Sequence, residues 1–135
     1  MQTLQTPPRI LGLYDAPMWG FLADERRLRL QRCSDCGAWR YPPGPACPEC
    51  LSPASDWAPV SGGGTVVSWV VFHKQYLPEY PAPYNVAAIR LDEGPMLISN
   101  LVENPAENPI GQRVALVPVE MEDGVVLPRF ALEAE

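Results

Sequence analysis

The chain changes its hydrophobic patterning three times. Residues 1–14 show no period, and Pro7 and Pro8 disfavour helix, so this stretch reads as an extended arm. Met18, Trp19, Phe21 and Leu22 then form one broad apolar face ahead of Asp24, Glu25, Arg26 and Arg27. With Asp15 placed as an N-cap and Pro17 in the first turn, the pattern predicts a short amphipathic helix over about residues 16–26. Leu28-Arg29-Leu30-Gln31-Arg32 alternates apolar and polar positions as a strand does, and Trp57 and Val60 mark a second short strand.

Beyond residue 61 five strand-like runs follow, at about 65–74, 84–91, 95–103, 113–121 and 125–132. Asp92-Glu93-Gly94-Pro95, the stretch from Asn104-Pro105 to Gly111, and Glu122-Asp123-Gly124 supply turns between them. Short strands with no long helix between them predict a mainly β chain ending in a small antiparallel barrel or sandwich. Its expected core is Val66, Val70, Val86, Ile89, Leu97, Leu101, Val114, Leu116 and Val125. Gly62-Gly63-Gly64 reads as a hinge or tight turn. The expected division is an arm and helix over 1–27, a cysteine-bearing segment over 28–60 and a β domain over 61–135.

Composition adds little to this picture. A hydrophobic content of 47% is that of a globular protein, and 17 scattered prolines suit loops and strand edges. The apolar run from Val66 to Phe72 is far shorter than the roughly 18 residues that cross a bilayer. No charged region followed by an apolar core opens the chain, so the expected location is the cytoplasm, with no membrane association. Charge is more telling. The net charge of −6 falls entirely on residues 61–135, while Arg26, Arg27, Arg29, Arg32 and Arg40 cluster beside the cysteines.

All four cysteines lie in the pattern Cys33-x2-Cys36-x10-Cys47-x2-Cys50. Two such hooks bring four thiolates to the corners of a tetrahedron about 2.3 Å from a zinc ion. Gly37 provides the positive φ that lets backbone N–H groups turn toward the first pair of sulfurs. Two disulfides are the alternative, disfavoured in a reducing compartment. Iron is the rival metal, as in rubredoxin-like electron carriers. A closed shell of four thiolates leaves no position for water, so Zn2+ here is expected to be structural.

Catalytic chemistry finds little support along the chain. His73 is the single histidine, and Ser61 and Ser68 have no base at recognisable spacing. Asp92-Glu93 reads as a solvated turn. The segment His73-Lys74-Gln75-Tyr76, continuing through Pro78, Tyr80, Pro81 and Pro83, is either an exposed Pro-rich loop or a surface facing a partner or ligand. A catalytic base at His73 would need groups from elsewhere.

The order of parts resembles the domain-of-unknown-function family 35. The matching stretches are Leu28 to Gly37, Tyr41 to Cys50, Gly62 to Ser68, Pro83-Tyr84-Asn85-Val86-Ala87 and Leu91 to Pro95. The cysteine hooks alone are not specific to this family, but hooks and later stretches together are. The resemblance implies a rubredoxin-like zinc ribbon joined to a five-stranded OB-fold barrel associated with acyl-CoA. It implies a subunit that is not catalytic alone and joins a hetero-oligomer with a thiolase-like partner of the lipid-transfer-protein type. Such complexes act on acyl-CoA, in one branch by retro-aldol cleavage of steroid side chains, in another by thiolase chemistry. The partner is then expected to hold most of the CoA thioester. On this reading Trp19 and the helix, together with His73, Lys74, Tyr76 and Tyr80, face the partner or substrate. Arg29, Arg32 and Arg40, with Arg26 and Arg27, are candidates for CoA phosphates, or else a solvated face balancing nearby acids.

Ribbon-plus-OB architectures also occur in nucleic-acid-binding proteins, and Trp69, Phe72, Tyr76 and Tyr84 are able to stack on bases. The acidic barrel argues against that alternative, since single-strand grooves are lined with Lys and Arg. No nucleic-acid partner is expected.

Overall fold

The computed structural model describes residues 6, 7 and 9–133. The expected arm therefore lies partly outside the described residues. Within it, Thr6 donates from its N–H and Oγ1 to Asp123 Oδ2 at 3.0 and 2.8 Å, tying the start of the chain to a turn near its end.

Among the described residues one helix, α1 (Ala16–Glu25), precedes eight strands. Pro17 sits in its first turn as expected. Asp15 occupies the N-cap position but caps nothing inside the helix, because its Oδ1 accepts from Gly12 N–H at 2.5 Å instead. The helix ends where Arg26 turns left-handed, with φ 57°, and its N–H bonds the Leu22 carbonyl. Met18 and Leu22 are buried, and Met18 joins the core shared by both parts of the chain.

The first sheet has the order β2-β1-β3, from β1 (Arg29–Cys33), β2 (Trp39–Arg40) and β3 (Ser55–Pro59). The second sheet has the order β6-β5-β4-β7-β8, from β4 (Gly63–Phe72), β5 (Tyr84–Leu91), β6 (Met96–Ser99), β7 (Arg113–Glu120) and β8 (Val126–Leu132). It curls until its two edges meet. Leu101, just beyond β6, forms a parallel bridge to Phe130 of β8, and Val102 N–H reaches the Phe130 carbonyl at 2.8 Å. This is the partly open five-stranded closure of an OB-fold. The five expected runs all appear as strands, the third shortened to Met96–Ser99.

The core spans both sheets. Leu28, Leu30 and Val60 from the ribbon base meet Met18, Val66, Ile89, Leu91, Leu97, Leu101, Val114 and Phe130. Three expected core positions are corrected, the first being Val86, which lies between inward-facing Asn85 and Ala87 on β5 and therefore points outward. Val70 is 50% exposed, because the register slips between Val66 and Ser68. That bulge adds one residue to β4 and reverses which side chains point inward, so Trp69 is partly buried and Val70 turns out. Val126 rather than Val125 is buried, for β8 begins one residue later than the alternation suggested.

The three glycines are not a hinge. Gly63 and Gly64 lie inside β4. A Cβ on Gly64 would sit 2.7 Å from the Arg90 carbonyl oxygen and 2.8 Å from Ile89 Cγ2. Close approach of β5 is what requires glycine there. Only Gly62 has positive φ, at 86°.

Candidate metal centre and exposed surfaces

The two cysteine hooks fold into the same turn. Gly37 N–H bonds the Cys33 carbonyl and Leu51 N–H bonds the Cys47 carbonyl, each at 3.0 Å. Cys33 N–H then reaches Ala38 O, and Cys47 N–H reaches Ser52 O, each at 2.8 Å. The residue after each hook is left-handed, Gly37 at φ 77° and Leu51 at φ 66°. The sequence announced the first through its glycine and concealed the second behind a leucine.

These turns bring the four sulfurs together. Cys33 and Cys50 Sγ are 3.6 Å apart and Cys36 and Cys47 Sγ 3.5 Å, with all four atoms within 4.8 Å of one another. A tetrahedron with about 2.3 Å metal–sulfur bonds has edges of about 3.8 Å, so the cluster fits zinc. Disulfides would need sulfurs about 2.05 Å apart. Backbone N–H groups already serve the sulfurs: Cys36 N–H points at Cys33 Sγ from 3.4 Å and Glu49 N–H at Cys47 Sγ from 3.3 Å. The Cys36 amide leads in drawing the Cys33 thiol down to about 6, and the Cys50 amide leads in lowering Cys47. At Cys36 the Ala38 amide pulls down, but the neighbouring sulfurs and burial outweigh it and push the thiol up to about 12. Each hook thus pairs one lowered thiol with one raised one, Cys33 with Cys36 and Cys47 with Cys50. A dication supplies the charge that lets all four ionise.

The arginines near the ribbon are engaged within the chain. Arg29 Nε donates to Glu25 Oε1 at 2.8 Å, and its guanidinium lies over Phe21. Arg32 Nε donates to the Gly37 carbonyl at 2.9 Å and lies 5.0 Å from the Trp39 ring centre. Arg40 is buried and donates to the Gly44 and Ser52 carbonyls at 3.0 and 3.3 Å. Buried Gln31 accepts from Gly44 N–H at 2.8 Å, so it joins Arg40 in clamping the Pro-rich loop. Sequence alternation gave no sign of this polar clamp. Arg26 pairs with Glu120, and Arg27 is exposed.

The residues expected to face a partner are spread over two places. Trp19 is half-buried on α1, with Arg9 4.4 Å above its ring. His73, Lys74 and Tyr76 are exposed on the β4–β5 loop, where Lys74 Nζ lies 5.3 Å from the Tyr76 ring centre. Tyr80 is half-buried and packs at 5.9 Å against Tyr84, which stacks at 5.1 Å on Phe72.

Comparison with known proteins agrees with this geometry. The model of the "ChsH2, rubredoxin-like zinc ribbon domain" matches residues 22–56, and that of the "ChsH2, C-terminal OB-fold domain" matches residues 57–126. A "DUF35 domain-containing scaffold protein" from Pyrococcus furiosus is 30% identical over 115 residues, covering 81% of this chain and 84% of that protein. The chain belongs to the DUF35 family. A "probable enoyl-CoA hydratase alpha subunit" from Thermomonospora curvata is 40% identical over 134 residues, or 96% of this DUF35 chain. The "3-oxo-4,17-pregnadiene-20-carboxyl-CoA hydratase alpha subunit" of Mycobacterium tuberculosis is 35% identical over 97 residues, or 71% of this chain. The chain spans 42% and 31% of the lengths of these two relatives. Among solved structures, a chain of the "Ltp2-ChsH2(DUF35) aldolase" superposes with TM-score 0.84 and 36% identity, covering 93% of this chain and 98% of that one. A DUF35-family protein of unknown function from Sulfolobus solfataricus shares the fold, with TM-score 0.65 at 15% identity. The expected ribbon and OB-fold are both present, and no helix among the described residues is long and apolar enough to cross a membrane.

Proposed function

We propose that this chain is the non-catalytic accessory subunit of a cytoplasmic thiolase-like enzyme of the lipid-transfer-protein type acting on acyl-CoA. In our reading the complex performs retro-aldol carbon–carbon cleavage in steroid or lipid side-chain degradation. The observation that carries the proposal is the superposition on the DUF35 chain of a solved aldolase complex at TM-score 0.84, covering 98% of that chain. A subunit without a nucleophile contributes by holding its partner's site in shape and keeping water from it. Cysteine spacing that suits a metal site rather than a disulfide framework favours a reducing compartment.

Arg29, Arg32 and Arg40 each have partners inside the chain, which supports a CoA thioester held mainly by the partner subunit. The loop from His73 to Pro78 is exposed, which leaves it free to reach toward such a substrate. A thiolase subunit is the second reading, and it uses the same docking chemistry.

Co-expression with thiolase-like subunits from the same genome tests both readings. A stable complex that cleaves a β-hydroxyacyl-CoA without free CoA is expected. Consumption of a β-ketoacyl-CoA only with free CoA would move the assignment to thiolase. Absence of any complex would overturn the accessory role.

A further inference from the structure

The outward side of the barrel differs from what a solvated sheet shows. Along β5, Asn85, Ala87, Ile89 and Leu91 point inward, so Tyr84, Val86 and Ala88 point out. Register places Val70 beside Val86, Phe72 beside Tyr84 and Ile98 beside Ala88 on this outer face. Ile98 is 68% exposed, and Tyr76 and Leu77 extend the surface from the β4–β5 loop. An antiparallel sheet with one solvated face normally alternates apolar-in with polar-out, whereas β4 to β6 carry apolar side chains on both faces.

At the edge of this surface lies Arg129 of β8. The apolar groove of Leu77, Tyr84, Val86 and Ile98 adjoins a polar cleft containing Arg129, and the two share Tyr80, Tyr84 and Asn100. Arg129 Nε is buried and has no hydrogen-bond partner among the described residues. The cleft's asparagines do not serve it. Asn85 Oδ1 accepts from Leu101 N–H and Asn104 Oδ1 from Asn85 Nδ2, and Asn100, whose Nδ2 donates to Asn85 O, makes no bond to Arg129. The other barrel cations are occupied: Arg113 by Asp92, Arg90 by the Gly94 carbonyl and Lys74 by the Tyr76 ring. Burial also lowers the Arg129 guanidinium from its ordinary value, as expected of a cation lacking a counter-ion.

We propose that the outer face of β4–β5–β6 is the docking surface for the thiolase-like subunit, with Arg129 receiving a carboxylate from that partner at the edge of an apolar contact. The inference rests on the accessory-subunit reading and deepens it by naming the surface. Charge complementarity chooses the occupant. A partly desolvated guanidinium gains most from a carboxylate that matches its planar edge in a pair of parallel bonds. A phosphate dianion or nucleic-acid backbone calls for several cations, and this barrel offers one open guanidinium within a part of the chain that carries the whole −6 charge. Tyrosine, arginine and isoleucine around an apolar centre, with few lysines or acids, is the composition of an interface core.

The test uses the complex co-expressed with the thiolase-like subunit of the same genome, with affinity measured by calorimetry or interferometry. Arg129→Gln and Ile98→Ser each change an outward-facing side chain, so folding is expected to survive, as zinc content and thermal melting would verify. Each is expected to weaken binding by about thirtyfold. Asp56→Asn, an exposed change on β3 of the other sheet, should leave affinity unchanged. Arg129→Gln should also flatten the dependence of affinity on salt, which a purely structural defect would not do. Wild-type affinity in both variants, with the complex intact, overturns the docking surface and leaves the accessory role standing. If the wild-type chain binds no thiolase-like subunit, both fall together.

Discussion

Between Cys33 and Ala54 three residues are buried, Cys33, Arg40 and Cys47, whereas the curled sheet from Gly63 to Leu132 encloses Val66, Ala87, Ile89, Leu91, Leu97, Leu101, Val114 and Phe130. The ribbon tip therefore holds its shape through four thiolates, two matched turns and the Gln31–Arg40 clamp. The barrel holds its shape by removing apolar surface from water. The base of the ribbon belongs to the barrel's regime, since Leu28, Leu30 and Val60 enter the shared core with Met18. Stabilising chemistry thus changes along the ribbon itself, at the point where its sheet gives way to the cysteine turns.

Removing the metal should separate the two regimes most sharply. Structural zinc sites contribute about 10–16 kcal/mol of apparent binding free energy at neutral pH. Chelation, or Cys36→Ser, is expected to abolish stoichiometric zinc and expose the amides of residues 33–54 to hydrogen exchange. Amides in β4, β5 and β7 should stay protected. Equal loss of protection in the barrel would show that the regimes are not separable. Conversely, Phe130→Ala empties the place where the barrel edges meet and should cost about 3–5 kcal/mol in chemical denaturation. Gly64→Ala pushes a methyl group against β5 backbone and is expected to cost about 1–3 kcal/mol by the same assay.

Smaller changes sharpen the comparison between the two hooks. Leu51 is left-handed and 78% exposed, so its side chain returns little packing for a strained backbone. Leu51→Gly should raise stability by up to about 1 kcal/mol, while Gly37→Ala at the equivalent position should lower it by about 1 kcal/mol. Competition with a chromogenic chelator would report both as opposite shifts in zinc affinity. The smallest effect belongs to the barrel surface. Arg113 holds the Asp92 carboxyl below its ordinary range. A carboxyl depressed in the folded state stabilises above its unfolded value near 4, and that contribution disappears as pH falls through the lower folded value. Asp92→Asn should therefore narrow the stability difference between pH 7 and pH 3 slightly, the pair being exposed.

Cysteine spacing, the alternation of five runs and the turn residues between them were sufficient to state the metal ligands and a small antiparallel barrel or sandwich, because those signals depend on residues close in sequence, while the OB-fold in particular came with the family resemblance. The bulge in β4 was not legible, and it altered what Val70 and Trp69 do. No local pattern distinguishes one inserted residue from a continuous alternation. The roles of the arginines were equally hidden. Five cations beside the cysteines resemble a phosphate-binding cluster in the sequence, but in the fold Arg29, Arg32 and Arg40 each meet a carboxylate or carbonyl of the same chain. Arg129, which drew no notice in the sequence, is the cation the fold leaves unpaired among the described residues of its cleft.

The sequence by itself determined the ligand set, the order of helix, ribbon and strands, and the acidic character of the barrel. Each depends on residue identity and short-range spacing. Only the tertiary structure decided which polar groups find partners, which face of β4 turns outward, and that an apolar surface ends at an open guanidinium. Those outcomes depend on strands brought together from distant parts of the chain, where a one-residue change of register exchanges inside for outside.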